Sequence, residues 1–173
     1  SEEAILAQET IAVQNDGYII GAEGGVRAPG GSVDNAGVVR GSGTSVEFFG
    51  FSDDTVSNEG KLLGAVLRGD GDDQYLGRGG FLAGRADGGD GDDLLLAGPS
   101  GDVLVGGNGQ DLMEGGPASD RLNGNRGPDQ LFGGAGIDAL NGGFGRDIIF
   151  GGPGDDEIRG GPGSDIFIIT RND

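Results

Sequence analysis

Nine aspartates fall at strict nine-residue intervals: Asp93, Asp102, Asp111, Asp120, Asp129, Asp138, Asp147, Asp156 and Asp165. A file of carboxylates suits a hard cation such as calcium, magnesium or manganese. The chain has no His and no Cys, so structural zinc lacks its usual ligands. Each aspartate belongs to a unit G-G-x-G-x-D-x-U-x, in which U is Leu95, Leu104, Met113, Leu122, Leu131, Leu140, Ile149, Ile158 or Phe167. The first glycine is replaced only at Ala97, the second only at Asn125, and the third at Ser100 and Ala118. An outlying copy, Gly69-Asp70-Gly71-Asp72-Asp73-Gln74-Tyr75, puts Asp73 20 residues before Asp93.

The elements that must position these carboxylates follow from the spacing. Side chains alternate along a strand, so three residues around each U predict a short strand with U pointing inward. The six residues before it turn the chain, and glycine supplies the positive φ such turns need. Two units, 18 residues, close one coil, and successive coils stack at about 4.8 Å. The turns then form two columns. One holds Asp93, Asp111, Asp129, Asp147 and Asp165, the other Asp102, Asp120, Asp138 and Asp156. Two unit charges that close cost on the order of 3 kcal/mol at an effective dielectric of 20, so several such gaps rival a domain's stability. A divalent ion between turns reverses the sign. Calcium is preferred, because it accepts six to eight oxygens, backbone carbonyls included, whereas magnesium keeps its waters.

The two columns offer seven gaps, hence up to seven Ca2+ ions in the main roll, whose charge would offset most of the net −18. Candidate donors beside the nine aspartates are Asp73 and, at turn positions 1 and 3, Gly88, Asp90, Gly106, Asn108, Gly133, Ala135, Gly142, Phe144, Gly151 and Pro153. The turns before Asp102 and Asp120 have lost their third glycine, so that gap is expected to be weak or empty and the Asp138–Asp156 gap filled.

The first third repeats differently. Val13-x-Asn15-x-Gly17, Val33-x-Asn35-x-Gly37 and Val56-x-Asn58-x-Gly60 recur at spacings of 20 and 23. Those periods match coils of a parallel β-helix, in which the asparagines would stack as a ladder. A glycine-rich sandwich of short strands is the alternative. The expected architecture is an all-β parallel β-solenoid: β-helix-like coils over 1–68, an irregular transition coil over 69–87, and a calcium β-roll over 88–173. Residues 1–9 are expected to cap the solenoid or to be loose.

Composition narrows the partners. The 173 residues include 42 glycines, only 34% are apolar, and 29 acids face 11 bases. Such a charge disfavours nucleic acid and anionic membrane surfaces, and no apolar run approaches the roughly 20 residues of a membrane span. The start at Ser1 without Met predicts a fragment or a processed product. No nucleophile elbow or P-loop is present, and acid pairs such as Asp155-Asp156 would need a cleft. No enzyme is expected.

Residues 88–168 closely resemble the RTX, or hemolysin-type, calcium-binding repeats, and the first third resembles the N-x-G-x-I repeats upstream of the roll in some bacterial surface proteins. The resemblance implies export by a bacterial type I system, folding in extracellular calcium, and a place outside the cell or on its surface. It implies a structural or assembly module, or else an accessory C-terminal module of a secreted enzyme or adhesin. Family chains usually continue beyond the last repeat with a capping and secretion segment. Here only residues 169–173 follow, so the end is expected to be open unless something covers it.

Residues flanking U point outward. After the first column these are Leu94/Leu96, Leu112/Glu114, Gln130/Phe132, Ile148/Phe150 and Ile166/Ile168. The opposite sheet offers Val103/Val105, Arg121/Asn123, Ala139/Asn141 and Glu157/Arg159. The apolar face, centred on Leu94, Leu96, Leu112, Phe132, Ile148, Phe150, Ile166 and Ile168, is expected to dock a protein partner or a second copy, unless residues 74–87 fold back over it. Phe132 and Phe150, expected to stack two repeats apart, are the aromatics a glycan would use.

Overall fold

The computed structural model describes residues 5–6, 10–21 and 24–169. The expectation for residues 1–9 lies outside the described residues, apart from the strand Ile5–Leu6. Regular structure among the described residues is all β, and paired strands run parallel. The architecture is a parallel β-solenoid, as the repeats predict.

Two sheets of nine strands run its length. One passes through Val26–Ala28, Thr44–Phe48, Ala65–Leu67, Ala86–Asp90, Val103–Asn108, Arg121–Arg126 and Ala139–Phe144 to Glu157–Arg159. The other passes through Ile11–Asn15, Gly31–Asn35, Thr55–Asn58, Gln74–Leu76, Leu94–Leu96, Leu112–Gly116, Gln130–Gly134 and Ile148–Phe150 to Ile166–Ile168. Their outer side chains make them the polar and the apolar sheet of the roll. A short third sheet joins Tyr18–Ile20, Val38–Arg40, Lys61–Leu62 and Phe81–Leu82.

The interior explains why three sides become two. In the three-sided part, Val26, Val46 and Val66 face Val33 and Val56, and Val39 and Leu62 fill the third side, all buried. Beyond Leu82 the third side is gone, and longer side chains close the gap: Leu104, Leu122 and Leu140 against Leu95, Met113, Leu131 and Ile149. At the junction the bulky Tyr75 is matched by the small Ala86. Large-with-small pairing keeps the core at native density.

Register follows the same change. Val46 pairs with Val66 20 residues on, whereas Leu104 pairs with Leu122 and Leu122 with Leu140 18 residues on. Residues 74–87 are regular: Gln74 pairs with Thr55 and Leu94, Phe81 with Lys61, and Ala86 with Leu104. The two extra residues between Asp73 and Asp93 belong to the last three-sided coil. That stretch is a stacked coil and does not lie over the apolar face.

The asparagine ladder forms inside the first coils. Asn15 Nδ2 donates to Asn35 Oδ1 at 2.7 Å and Asn35 Nδ2 to Asn58 Oδ1 at 2.8 Å. Asn58 ends the run by donating to the Phe81 carbonyl. Buried amides are tolerated here because each pairs with the next. Phe132 and Phe150 meet edge to face, with centroids 6.5 Å apart and rings inclined at 70°, so they are not stacked.

Candidate metal centre

The first aspartate column runs along the corner from the polar to the apolar sheet. The backbone N–H of each aspartate donates to Oδ1 of the aspartate one coil on: Asp93 to Asp111, Asp111 to Asp129, Asp129 to Asp147 and Asp147 to Asp165, at 2.9–3.1 Å. The second column runs along the opposite corner, from Asp102 to Asp120 to Asp138 to Asp156, at 2.6–3.0 Å. It begins at Asp102 because upstream the third sheet occupies that corner.

The first column extends further upstream than the nine-residue phase shows. Asp73 N–H donates to Asp93 and Asp54 N–H to Asp73, and Asp54 Oδ1 accepts from Gly31 N–H at 2.5 Å. Asp54 escaped the sequence reading because its 19-residue spacing to Asp73 breaks the phase. Its signal is Asp54-Thr55-Val56, the same D-x-apolar step as Asp73-Gln74-Tyr75.

Each ladder bond uses one carboxylate oxygen. The other, Oδ2, is buried without a hydrogen-bond partner in Asp54, Asp73, Asp93, Asp111, Asp120, Asp129, Asp138 and Asp147. A buried polar atom left unpaired is costly and calls for an explanation. Position 1 of the unit makes room for it. A Cβ on Gly106 would lie 2.1 Å from Asp111 Oδ2, and one on Gly142 2.2 Å from Asp147 Oδ2. These glycines are required by the carboxylate and not by backbone conformation. Within the units, positive φ is confined to positions 2 and 4, as at Gly107 (134°) and Gly109 (137°). Asn125 substitutes for a second glycine at φ 72°, in the left-handed region that asparagine tolerates best after glycine.

Ala97 is the natural exception at position 1. Asp102 turns, its Oδ2 accepting from Gly98 N–H at 3.0 Å and its Oδ1 becoming the unpaired atom. Two features coincide there: no aspartate precedes Asp102 in its column to donate to it, and the Ala97 methyl stands at position 1, where Oδ2 lies in the other units.

Burial dominates the electrostatics. It pushes the carboxyls of Asp73, Asp93, Asp111 and Asp129 up to about 7 and that of Asp120 to about 6. The ladder N–H pulls each back, and neighbouring carboxylates raise it again. Asp54, Asp102, Asp138 and Asp147 are raised for the same first reason. Asp156 and Asp165, on the last coils, are only partly buried.

The donor set fits a hard cation. Two files of buried, unpartnered carboxylate oxygens lie where positive charge would remove their desolvation cost. Among the described residues no group of three or more acidic side chains gathers, so each gap pairs carboxylates, and further protein donors for a cation there would be backbone oxygens. The position-3 carbonyls of Asp90, Asn108, Phe144 and Pro153 each accept a bond from the glycine N–H one coil earlier, and the carbonyl of Gly151 accepts from Gly134. A second lone pair remains on each. Gly88, Gly106, Gly133, Gly142 and Gly151 lie buried against their aspartates, while Ala135 is exposed at its turn.

No curated protein and no solved structure matches the chain. A family model of the RTX calcium-binding nonapeptide repeat, four copies long, matches residues 87–121, 114–149 and 132–167. The strict phase of the aspartates thus has a family behind it: over residues 87–167 this chain consists of RTX calcium-binding repeats, folded as a parallel β-roll.

Proposed function

We propose that the chain is a calcium-dependent folding and assembly module of a secreted or cell-surface bacterial protein, with Ca2+ held between stacked turns of both aspartate columns. The observation that carries this reading is the file of buried, unpartnered Oδ2 atoms. Bound calcium supplies the positive charge these atoms lack. The aspartates' own part is double: Oδ1 fixes the coil spacing through the ladder, and Oδ2 stays free to ligate. A chain that needs millimolar calcium stays unfolded where calcium is scarce and orders outside the cell, where half-saturation near 10⁻⁴–10⁻³ M is typical. The seven gaps need not be equal, and the turned carboxylate of Asp102 supports a weak Asp102–Asp120 gap.

Circular dichroism of the chain during calcium titration tests this. The β signal should grow severalfold from chelator to saturating calcium. A full β signal in chelator, unchanged by calcium, would sink the reading.

The apolar sheet supports a protein contact, either a partner or a second copy. Leu112, Ile166 and Ile168 are 37%, 41% and 43% exposed, and Leu94, Leu96, Phe132, Ile148 and Phe150 are half-buried in the same outer rows. Self-association should appear as a molar mass in calcium above that of one chain. A monomer that binds little apolar dye would count against any such contact.

A further inference from the structure

The copy of the unit at the head of the first column starts with an arginine: Arg68-Gly69-Asp70-Gly71-Asp72-Asp73-Gln74-Tyr75-Leu76. Leu67 pairs with Asp87, which puts Arg68 in register with Gly88, the first residue of the next unit. At Gly88 a Cβ would lie 2.0 Å from Asp93 Oδ2, so a side chain at this position is directed into the space beside the carboxylate column. The Arg68 side chain is completely buried there, as is that of Asp73, with Arg68 Nε 3.8 Å from Asp73 Oδ2. Its guanidinium carbon lies 5.9 Å from the centroid of the buried Tyr75 ring, and after Asp73 the strongest charge acting on it is Asp93.

This is an unusual place for an arginine. Among the described residues Arg68 is the one buried basic side chain. None of its three nitrogens has a hydrogen-bond partner, and neither has Oδ2 of Asp73 or Asp93. A guanidinium cannot shed its proton in a protein, and an uncompensated buried charge is strongly destabilising. The compensation is therefore charge against charge: the cation is paired with the Asp73 carboxylate, and the field of Asp93, one coil on, adds to it.

We infer that Arg68 is a built-in cation, standing beside Asp73 and Asp93 where the other pairs of the column take calcium, so that this gap binds no metal and its coil is ordered without calcium. The inference rests on the calcium reading of the columns. It gives Asp73 a different role from the one its motif suggests: it is the counter-ion of Arg68. It also makes the last three-sided coil a finished edge on which the first 18-residue coil can stack.

Two measurements on the full chain test it. The first counts bound calcium by equilibrium dialysis. Arg68→Gly completes the G-G-x-G-x-D pattern at residues 68–73 and should bind one more ion than the wild type. Adding Asp73→Asn to Arg68→Gly should bring the count back. A folded Arg68→Gly variant with an unchanged count overturns the inference. The second uses the wild type in chelator and does not depend on any variant folding. The Asp73 amide, which donates to Asp93, should stay protected from hydrogen exchange while those of Asp111 and Asp129 exchange at least tenfold faster. Equal rates overturn it. A wild type that binds no calcium at all would remove the reading beneath the inference, whereas calcium binding with no gain in Arg68→Gly would remove the inference alone.

Discussion

Position 1 of the unit is a glycine because an oxygen needs its volume. At Gly106 that oxygen is Asp111 Oδ2, 2.1 Å from where a Cβ would stand, and at Ala97 the methyl group is present and Asp102 has turned. Ala97→Gly should let Asp102 turn into the orientation of its neighbours and tighten calcium binding at the second column. Gly106→Ala should do the reverse at the first, weakening it by about tenfold, or about 1.4 kcal/mol. Calorimetric titration of the two variants checks both, and an Ala97→Gly isotherm identical to the wild type would refute the steric account. The position-6 aspartates were legible in the sequence because their phase never slips. The three glycines of the turn were not separable there, since the sequence shows one residue type where the fold uses two reasons. Asp54 and Arg68 were hidden for a related cause: both belong to three-sided coils, whose 19- and 20-residue spacings fall outside the nine-residue count.

A column of carboxylates behaves as an element in its own right, because every member is tied to the next. Its folded carboxyls lie above the ordinary 3.8, at about 7 for Asp93, Asp111 and Asp129 and about 6 for Asp120. The folded column therefore holds protons that the unfolded chain has released. Its metal-free stability is present in full below about pH 4 and is lost as pH rises through 6 to 7. Thermal unfolding in chelator should show a more stable roll at pH 5 than at pH 8. Greater stability at pH 8 would contradict the burial-driven shifts. Calcium requires the ionised form, so its affinity should rise over the same interval. The asparagine ladder in the first coils is the neutral counterpart, where Asn15, Asn35 and Asn58 satisfy one another without any ion. Both ladders were visible in the sequence as periods. The third sheet was visible only as the short apolar pairs Ile19-Ile20, Val38-Val39 and Leu62-Leu63, since its strands are two or three residues long.

The whole molecule has a parity that neither the unit nor the coil shows alone. The motif repeats every nine residues, but a coil closes only after 18, so consecutive units lie on opposite sheets. Leu112 and Phe132 decorate one side, and Arg121 and Asn141 the other. Gaining or losing two units lengthens or shortens the roll and leaves both sides as they were. Gaining or losing a single unit transfers every downstream strand to the opposite sheet, breaking the apolar stripe in the middle and exchanging the two corners that carry the aspartates. The carboxylate ladders would survive such an event, because every unit brings its own aspartate, but the continuous apolar stripe would not. The outer faces alone thus distinguish even from odd changes in length, and the interior and the carboxylate columns are indifferent to the count.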